Sequence, residues 1–315
     1  GSHDWTGELV RAGAISPLGL RSRAGEFFEV AVDAFTYEGD LFGVPFAMEA
    51  VGLFYNKALV SEPPASFAAL RSVCDDLGFP TEDGPPCLAI PAGEPLHQFP
   101  FIGGFGGYVF GFENGTLNLT DVGLDSAGAI AGATFLSRLY EDGYADGEVD
   151  YSTMADLFNQ GLVPFMWTGP WQIVQVDAAG IEYGVAGLPL MEGNPARPLV
   201  GVQGFFLNSF SENQVLAETF LLDYVATTET VLQLSGAIYR VPALRSALNE
   251  ITDDPNLAAF AESGIGGFPL PNVPELESVW GPLAEALKAI GRGADDPAAE
   301  MATAAEAVRS VLGGG

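Results

Sequence analysis

The stretch Pro45-Phe46-Ala47-Met48-Glu49-Ala50-Val51-Gly52-Leu53-Phe54-Tyr55-Asn56-Lys57 decides how this chain is read. It is apolar and aromatic, so the segment from Leu41 to Tyr55 is predicted as strands. One carboxylate, Glu49, interrupts the run. A carboxylate among apolar residues costs desolvation free energy unless a partner answers it. Glu49 is therefore either paired locally or faces a ligand.

Outward from this stretch, short strands alternate with amphipathic helices, the pattern of an α/β protein. Phe67, Leu70, Cys74 and Leu77 recur at helical spacing, and Gly78 supplies a left-handed stop. Leu88 to Pro91 reads as a strand. Asp125 is placed to cap a helix with Ala127, Ile130, Ala131, Phe135 and Leu139 on one face, stopping near Gly143. Ser152 is placed to cap a shorter helix ending at Gly161. Val163 to Trp167 is a predicted strand running into the turn Gly169-Pro170, and Leu199 to Leu207 is another. Ser211 and Gln214 have capping-box spacing ahead of a helix through Tyr224. The last helix starts at Asp296-Pro297, with Met301, Ala304, Ala305, Val308 and Leu312 inward.

At 315 residues, and about 150 residues per domain, two domains or lobes are expected. Apolar residues at 48% suffice for a packed core. The net charge of −29 is the reverse of a nucleic-acid footprint and is repelled by anionic membranes. No apolar run reaches the roughly 18 residues of a membrane span. Cys74 and Cys87 are too few for a structural zinc site. They are either free or joined, and a disulfide between them argues for an oxidising compartment. Gly1-Ser2-His3 reads as the remnant of an added tag. The acidic runs Asp75-Asp76 and Asp253-Asp254 read as solvated faces.

Catalytic signatures are missing. Only His3 and His97 could serve a triad, and no HExxH, Walker loop or GxSxG occurs. The Gly103-Gly104-Phe105-Gly106-Gly107 run lacks the Lys-Ser/Thr of a phosphate loop and reads as a tight turn. No metal or cofactor is expected. What remains is aromatic and acidic. Trp171 follows a predicted strand, and Trp280 opens a predicted helix. Glu49 and Glu94 interrupt apolar stretches. A sugar needs such groups: its C–H face packs on an indole, and its hydroxyls donate to carboxylates in bonds of about 1.5–3 kcal/mol. Each residue alone serves equally well as core filler or a local pair.

Taken in order, these blocks resemble the maltose/maltodextrin-binding proteins, the extracellular solute-binding subunits of ABC sugar importers. Pro45 to Lys57 is similar to the family's crossover strand. Gly106-Gly107-Tyr108, Glu113-Asn114-Gly115 and Asp121-Val122-Gly123-Leu124-Asp125 follow in family order. Thr168-Gly169-Pro170-Trp171 resembles its aromatic sugar platform, Gly201-Val202 a hinge. Pro271-Asn272-Val273-Pro274 precedes Trp280 as a matching motif precedes a sugar-stacking tryptophan.

The resemblance implies a two-lobed, periplasmic-binding-protein-like α/β fold with hinge strands. It assigns 1–48 and 205–250 to the N-terminal lobe, and 52–199 and 256–315 to the C-terminal lobe. Hinges fall near 48–52, 199–205 and 250–256. It implies Asp4, Trp5, Glu49, Glu94, Trp171 and Trp280 as ligand-binding residues, and binding without catalysis. Trp5 replaces a basic residue, Leu96 a stacking tyrosine and Ala284 an arginine. Arg240 and Gln203 are taken as surface or hinge polar groups. The similarity starts well inside the family's first lobe, so that lobe is expected to be incomplete, its missing segment supplied by a second chain or absent by truncation. Implied partners are an oligosaccharide and the importer's membrane subunits, in an extracytoplasmic setting, periplasmic or lipid-anchored at the cell surface. Two rival readings are a glycoside hydrolase using Glu49 and Glu94, whose carboxyls must lie about 5–9.5 Å apart, and an engineered sugar-binding module.

Overall fold

The computed structural model describes residues 1–81, 84–113, 116–251 and 253–313. In chain order the strands are β1 (Ile15–Ser16), β2 (Thr36–Tyr37), β3 (Asp40–Leu41), β4 (Gly43–Glu49), β5 (Gly52–Asn56), β6 (Leu88–Ala89), β7 (Phe110–Glu113), β8 (Thr116–Val122), β9 (Phe165–Thr168), β10 (Tyr183–Ala186), β11 (Leu199–Asn208), β12 (Val241–Pro242) and β13 (Phe268–Pro269). The helices are α1 (Thr6–Arg11), α2 (Glu29–Ala34), α3 (Phe67–Asp76), α4 (Pro95–Gly104), α5 (Ala127–Glu141), α6 (Tyr151–Asn159), α7 (Ile173–Ala179), α8 (Gln214–Phe220), α9 (Thr228–Ala237), α10 (Arg245–Glu250), α11 (Pro255–Ile265), α12 (Glu277–Gly291) and α13 (Pro297–Gly313).

Two sheets carry the fold. One runs β1-β11-β4-β12, with β13 added to β11; the other runs β10-β5-β9-β6. The crossover stretch supplies a strand to each: β4 ends at Glu49, the chain steps across Ala50-Val51, and β5 begins at Gly52. The return path leaves β10 and enters β11, which pairs antiparallel with β4. Helix α11 packs against β4 and β12 of one sheet and β5 and β10 of the other.

β5 is apolar throughout because both its faces are covered. Leu53 and Phe54 are both fully buried, in different clusters. Leu53 joins Trp167, Phe101 and Phe135 on one face. Phe54 meets Phe158 (6.1 Å between ring centroids) and Phe260 (5.7 Å) on the other. Burial of such a side chain is worth about 1.5–3 kcal/mol. Trp167 can be buried whole because its Nε1 donates to the His97 carbonyl at 2.8 Å.

Several local expectations hold. Ser66 caps α3 by accepting from Ala69 N–H, and Gly78 has a φ of +84° just beyond it. Asp296 accepts from Ala298 and Ala299 N–H at the start of α13, whose Met301, Ala304, Ala305 and Val308 are buried. The glycine run forms the turn after α4, with Gly106 at a φ of +89°. Cys74 and Cys87 are joined, tying α3 to the residue before β6 with Cα atoms 5.9 Å apart.

Other expectations are corrected. Ser126, not Asp125, caps α5, accepting from Ala129 N–H; Asp125 instead accepts from Arg309 at 2.6 and 2.8 Å. The buried face of α5 is Ala129, Gly132, Ala133, Phe135, Leu136 and Leu139, so Ala127 is exposed. Phe135 and Leu139 stay inward, and packing against α4, α12 and α13 selects the rest of the face. Asp150, not Ser152, caps α6 through Thr153 N–H. Ser211 closes no capping box: its Oγ accepts from Asn213 N–H, and Gln214 reaches back to the Ser209 carbonyl at 2.6 Å. The helix that follows converts to a π-helical turn over Leu221–Val225. Asp254 is no merely solvated charge, because it caps α11 and accepts from Tyr239 Oη at 2.8 Å. The start of the chain is core rather than appendage. His3 is fully buried, and Gly1 and Gly204 exchange hydrogen bonds of 2.7 and 3.0 Å alongside β11. Asn114-Gly115 of the resemblance, and the final two glycines, lie outside the described residues.

Candidate functional site

Trp171 stands at the end of the second sheet. β9 stops at Thr168, and the chain turns through Gly169-Pro170 into a 3-10 turn over Pro170–Gln172. The indole lies back over Gly169, where a Cβ would come within 2.2 Å of the ring. His97 supports it edge-on, with centroids 5.9 Å apart at 84°. The His97 Nε2 pairs with Thr168 Oγ1 at 3.2 Å, and Tyr151 packs against the same imidazole at 5.6 Å. Burial pushes His97 down to about 4, so the ring is neutral near pH 7. Trp171 itself remains half-buried, with one face held by protein.

The first sheet approaches the same indole. Glu49 ends β4 opposite Gly201 of β11, where a Cβ would come within 2.9 Å of Glu49 Cγ. Its carboxylate accepts from Arg240 Nε, and both side chains are mostly buried. The guanidinium carbon of Arg240 lies 5.8 Å from the Trp171 ring centroid. Arg240 Nη1 also donates to the Ile238 carbonyl at 2.8 Å. The turn that presents Arg240 places Tyr239 at a φ of +50°. That left-handed residue is anchored by its own hydroxyl on Asp254. Of the two places the sequence left open for Arg240, surface or hinge, its pairing with Glu49 at the end of β4 favours the second.

Glu94 is the residue before α4. Its backbone carbonyl accepts from His97 and Gln98 N–H at 3.1 and 3.0 Å. Its carboxylate is exposed and takes no hydrogen bond or ion pair among the described residues. Lys288 of α12 lies over the neighbouring Gly93. Trp280, Ala284 and Lys288 share one stripe of α12, so the half-buried Trp280 stands about 12 Å along the helix from Lys288. No ring contact joins Trp280 to Trp171 among the described residues.

Asp4 and Trp5 are positioned through His3. The Val202 N–H donates to His3 Nδ1 at 3.0 Å, and Nε2–H donates to the Leu270 carbonyl at 2.9 Å. Burial holds His3 below its ordinary pKa, against the opposing pull of the Leu270 bond and of the charges on Asp4 and Glu49. Asp4 and Glu49 therefore share a neighbourhood. Asp4 Oδ1 is buried without a protein partner, while Trp5 is 53% exposed. The Pro271–Pro274 motif acts structurally: buried Asn272 donates to the Ala34 and Thr36 carbonyls at 2.9 and 2.7 Å. Arg240 thus joins Glu49 to Trp171, while among the described residues no hydrogen bond, ion pair or ring contact joins Trp5, Glu94 or Trp280 to them. A separate cavity of about 1010 Å³, between α2 and the β7–β8 hairpin, is lined by none of them. Sequence reading assigned His97 no part in the site and named Arg240 only as a surface or hinge polar group; neither carries a motif.

Residues 1–259 match the bacterial extracellular solute-binding protein family. The chain belongs to that family. This solute-binding protein is 27% identical to the galactooligosaccharide-binding protein of Bacillus subtilis (strain 168), over 98% of its own length and 75% of that protein's. It is 30% identical to the maltotriose-binding protein of Pyrococcus abyssi (strain GE5 / Orsay), over 92% of its length and 64% of the relative's. Its fold superposes on the crystal structure of a cyclo/maltodextrin-binding protein complexed with maltotetraose at a TM-score of 0.92, with 29% identity, covering 99% of this chain and 81% of that one. The resemblance to the maltodextrin-binding proteins and the two-lobed α/β class hold. The solute-binding chain spans about two thirds to four fifths of the length of these proteins. No helix among the described residues is long and apolar enough to cross a membrane.

Proposed function

We propose that this chain binds a neutral oligosaccharide of the maltodextrin type between its two sheets and delivers it to the membrane subunits of an ABC importer, outside the cytoplasm and without chemical conversion. The observation that carries this reading is the half-buried Trp171 indole, backed by Gly169 and His97 and approached from the other sheet by the Glu49–Arg240 pair. An indole supported on one side offers its free surface to a sugar ring. Glu49, Glu94 and Asp4 supply acceptors, and Trp280 and Trp5 supply further aromatic surface. The relatives named for maltotriose and for galactooligosaccharides support the substrate class.

In this reading the lobes are 1–48 with 205–250, and 52–199 with 256–315, and motion occurs near 48–52, 199–205 and 250–256. Closure is favoured only by ligand contacts that differ between open and closed forms. A periplasmic or lipid-anchored setting is supported by the family's extracellular character and by the Cys74–Cys87 disulfide. The relatives, named for binding, lend no support to a hydrolytic role for Glu49 and Glu94.

Calorimetric titration with maltose, maltotriose and trehalose tests the proposal. A saturable signal that Trp171→Ala weakens at least about thirtyfold, equivalent to about 2 kcal/mol, is the expected result. Flat traces with every oligosaccharide and a folded protein would overturn it.

A further inference from the structure

Arg240 is built into the cleft more firmly than a surface arginine. It is mostly buried, and its guanidinium is held by Glu49 on one nitrogen and by the Ile238 carbonyl at 2.8 Å on another. The Tyr239 hydroxyl on Asp254 anchors the turn that presents it. The group sits 5.8 Å from the centre of the Trp171 ring, so it reaches from the first sheet to the platform of the second. Among the described residues, Arg240 Nη2 and Glu49 Oε1 take no protein partner. A donor and an acceptor without protein partners therefore belong to one ion pair beside the aromatic platform, and that pairing restricts both side chains.

We propose that Arg240 is a specificity-determining residue of the cleft, which with Glu49 receives two adjacent hydroxyls of a neutral sugar stacked on Trp171. This rests on the proposed binding function and deepens it. One hydroxyl accepts from Nη2 while its neighbour donates to Glu49 Oε1. The planar fork of arginine suits such paired contacts, and an ammonium does not reproduce them. The charge balance selects among sugars. Glu49 already neutralises the guanidinium, and the Asp4 and Glu49 charges both act on the neighbouring His3, so a uronate is repelled and an uncharged polyol is not. Because the pair is preorganised, little side-chain freedom is lost on binding.

The test uses the full chain with maltotriose and a panel of monodeoxy maltosides, titrated against wild type, Arg240→Lys and Arg240→Met, with thermal melts to confirm folding. Wild type should bind maltotriose, and one deoxy position should weaken it about tenfold. Arg240→Met should weaken maltotriose binding at least tenfold and abolish the penalty at that deoxy position. Arg240→Lys should show the same loss of coupling while keeping a positive charge opposite Glu49. If Arg240→Met does not fold, Arg240→Lys decides alone. Unchanged or tighter binding by the folded variants overturns the proposal. So does weaker binding with every deoxy penalty intact, because that describes a tie between sheets rather than a ligand contact. If wild type binds no oligosaccharide, the functional reading itself fails, and that outcome is distinct from variants that bind like wild type.

Discussion

His97 shows how one side chain serves fold and site together. Its carbonyl satisfies the buried Trp167, its Nε2 meets Thr168, and its ring supports Trp171. Nothing in its sequence neighbourhood announces these roles, because all three partners arrive from β9 and the turn after it. Its titration is a consequence. Burial lowers its pKa from 6.5 to about 4. The unfolded chain therefore binds a proton between those values that the folded chain refuses, and stability is lost as pH falls through that window. The loss should reach about 3 kcal/mol near pH 4. Urea unfolding of wild type and His97→Phe at pH 7 and pH 4.5 should give a smaller pH-dependent loss in the variant; equal losses would exclude His97 as a source. Gly169 offers a second residue-scale prediction. Its φ is −99°, so alanine is tolerated by the backbone, yet the added methyl must displace the indole. Gly169→Ala should weaken oligosaccharide binding about tenfold, read by tryptophan fluorescence titration, with secondary structure unchanged by circular dichroism.

At the scale of elements, the strands and helices were legible where apolar periodicity was strong. α3, α13 and the β4–β5 pair match their expected places closely. Helix starts were less legible, since Asp125-Ser126 and Asp150 to Ser152 each offer more than one capping oxygen. Tertiary demands chose between them: Arg309 claims Asp125, which leaves Ser126 to cap α5. The disulfide acts at this scale too, closing a loop with a sequence separation of 13 between α3 and β6. Cys74→Ala with Cys87→Ala should cost about 3 kcal/mol in the loop-entropy account. Chemical denaturation measures it, and a cost below about 1 kcal/mol would show that the link constrains the unfolded chain little.

For the whole molecule, two surfaces stand out. Phe210, Val215, Leu216, Phe220 and Tyr224 are exposed on α8 and its neighbours, and α8 buries none of its residues. Contiguous apolar surface of this kind binds apolar probes and promotes association. Val215→Gln with Phe220→Gln should lower fluorescence of a hydrophobic dye without changing oligosaccharide affinity; an affinity change would link that face to the cleft. The second surface is the cleft. A ligand that binds only the folded chain should stabilise it by about 2.7 kcal/mol at a hundredfold excess over Kd. A rise in Tm with maltotriose, absent in Trp171→Ala at the same concentration, is the expected outcome by differential scanning calorimetry.

The linear pattern of apolar and polar residues was enough to determine the α/β class, the strands from Leu41 to Tyr55 and the aromatic residues available to a sugar, whereas the crossover within them was implied by the family resemblance. Those properties are local, arising from periodicity, turn chemistry and residue type. Only the tertiary structure decided that Glu49 pairs with Arg240, that Arg240 reaches Trp171, and that His3 belongs to the core. Partners 191 residues apart along the chain, as Glu49 and Arg240 are, become neighbours through strand register and helix packing. No local spacing encodes that distance, which is why the acceptors were readable and the cation between the sheets was not.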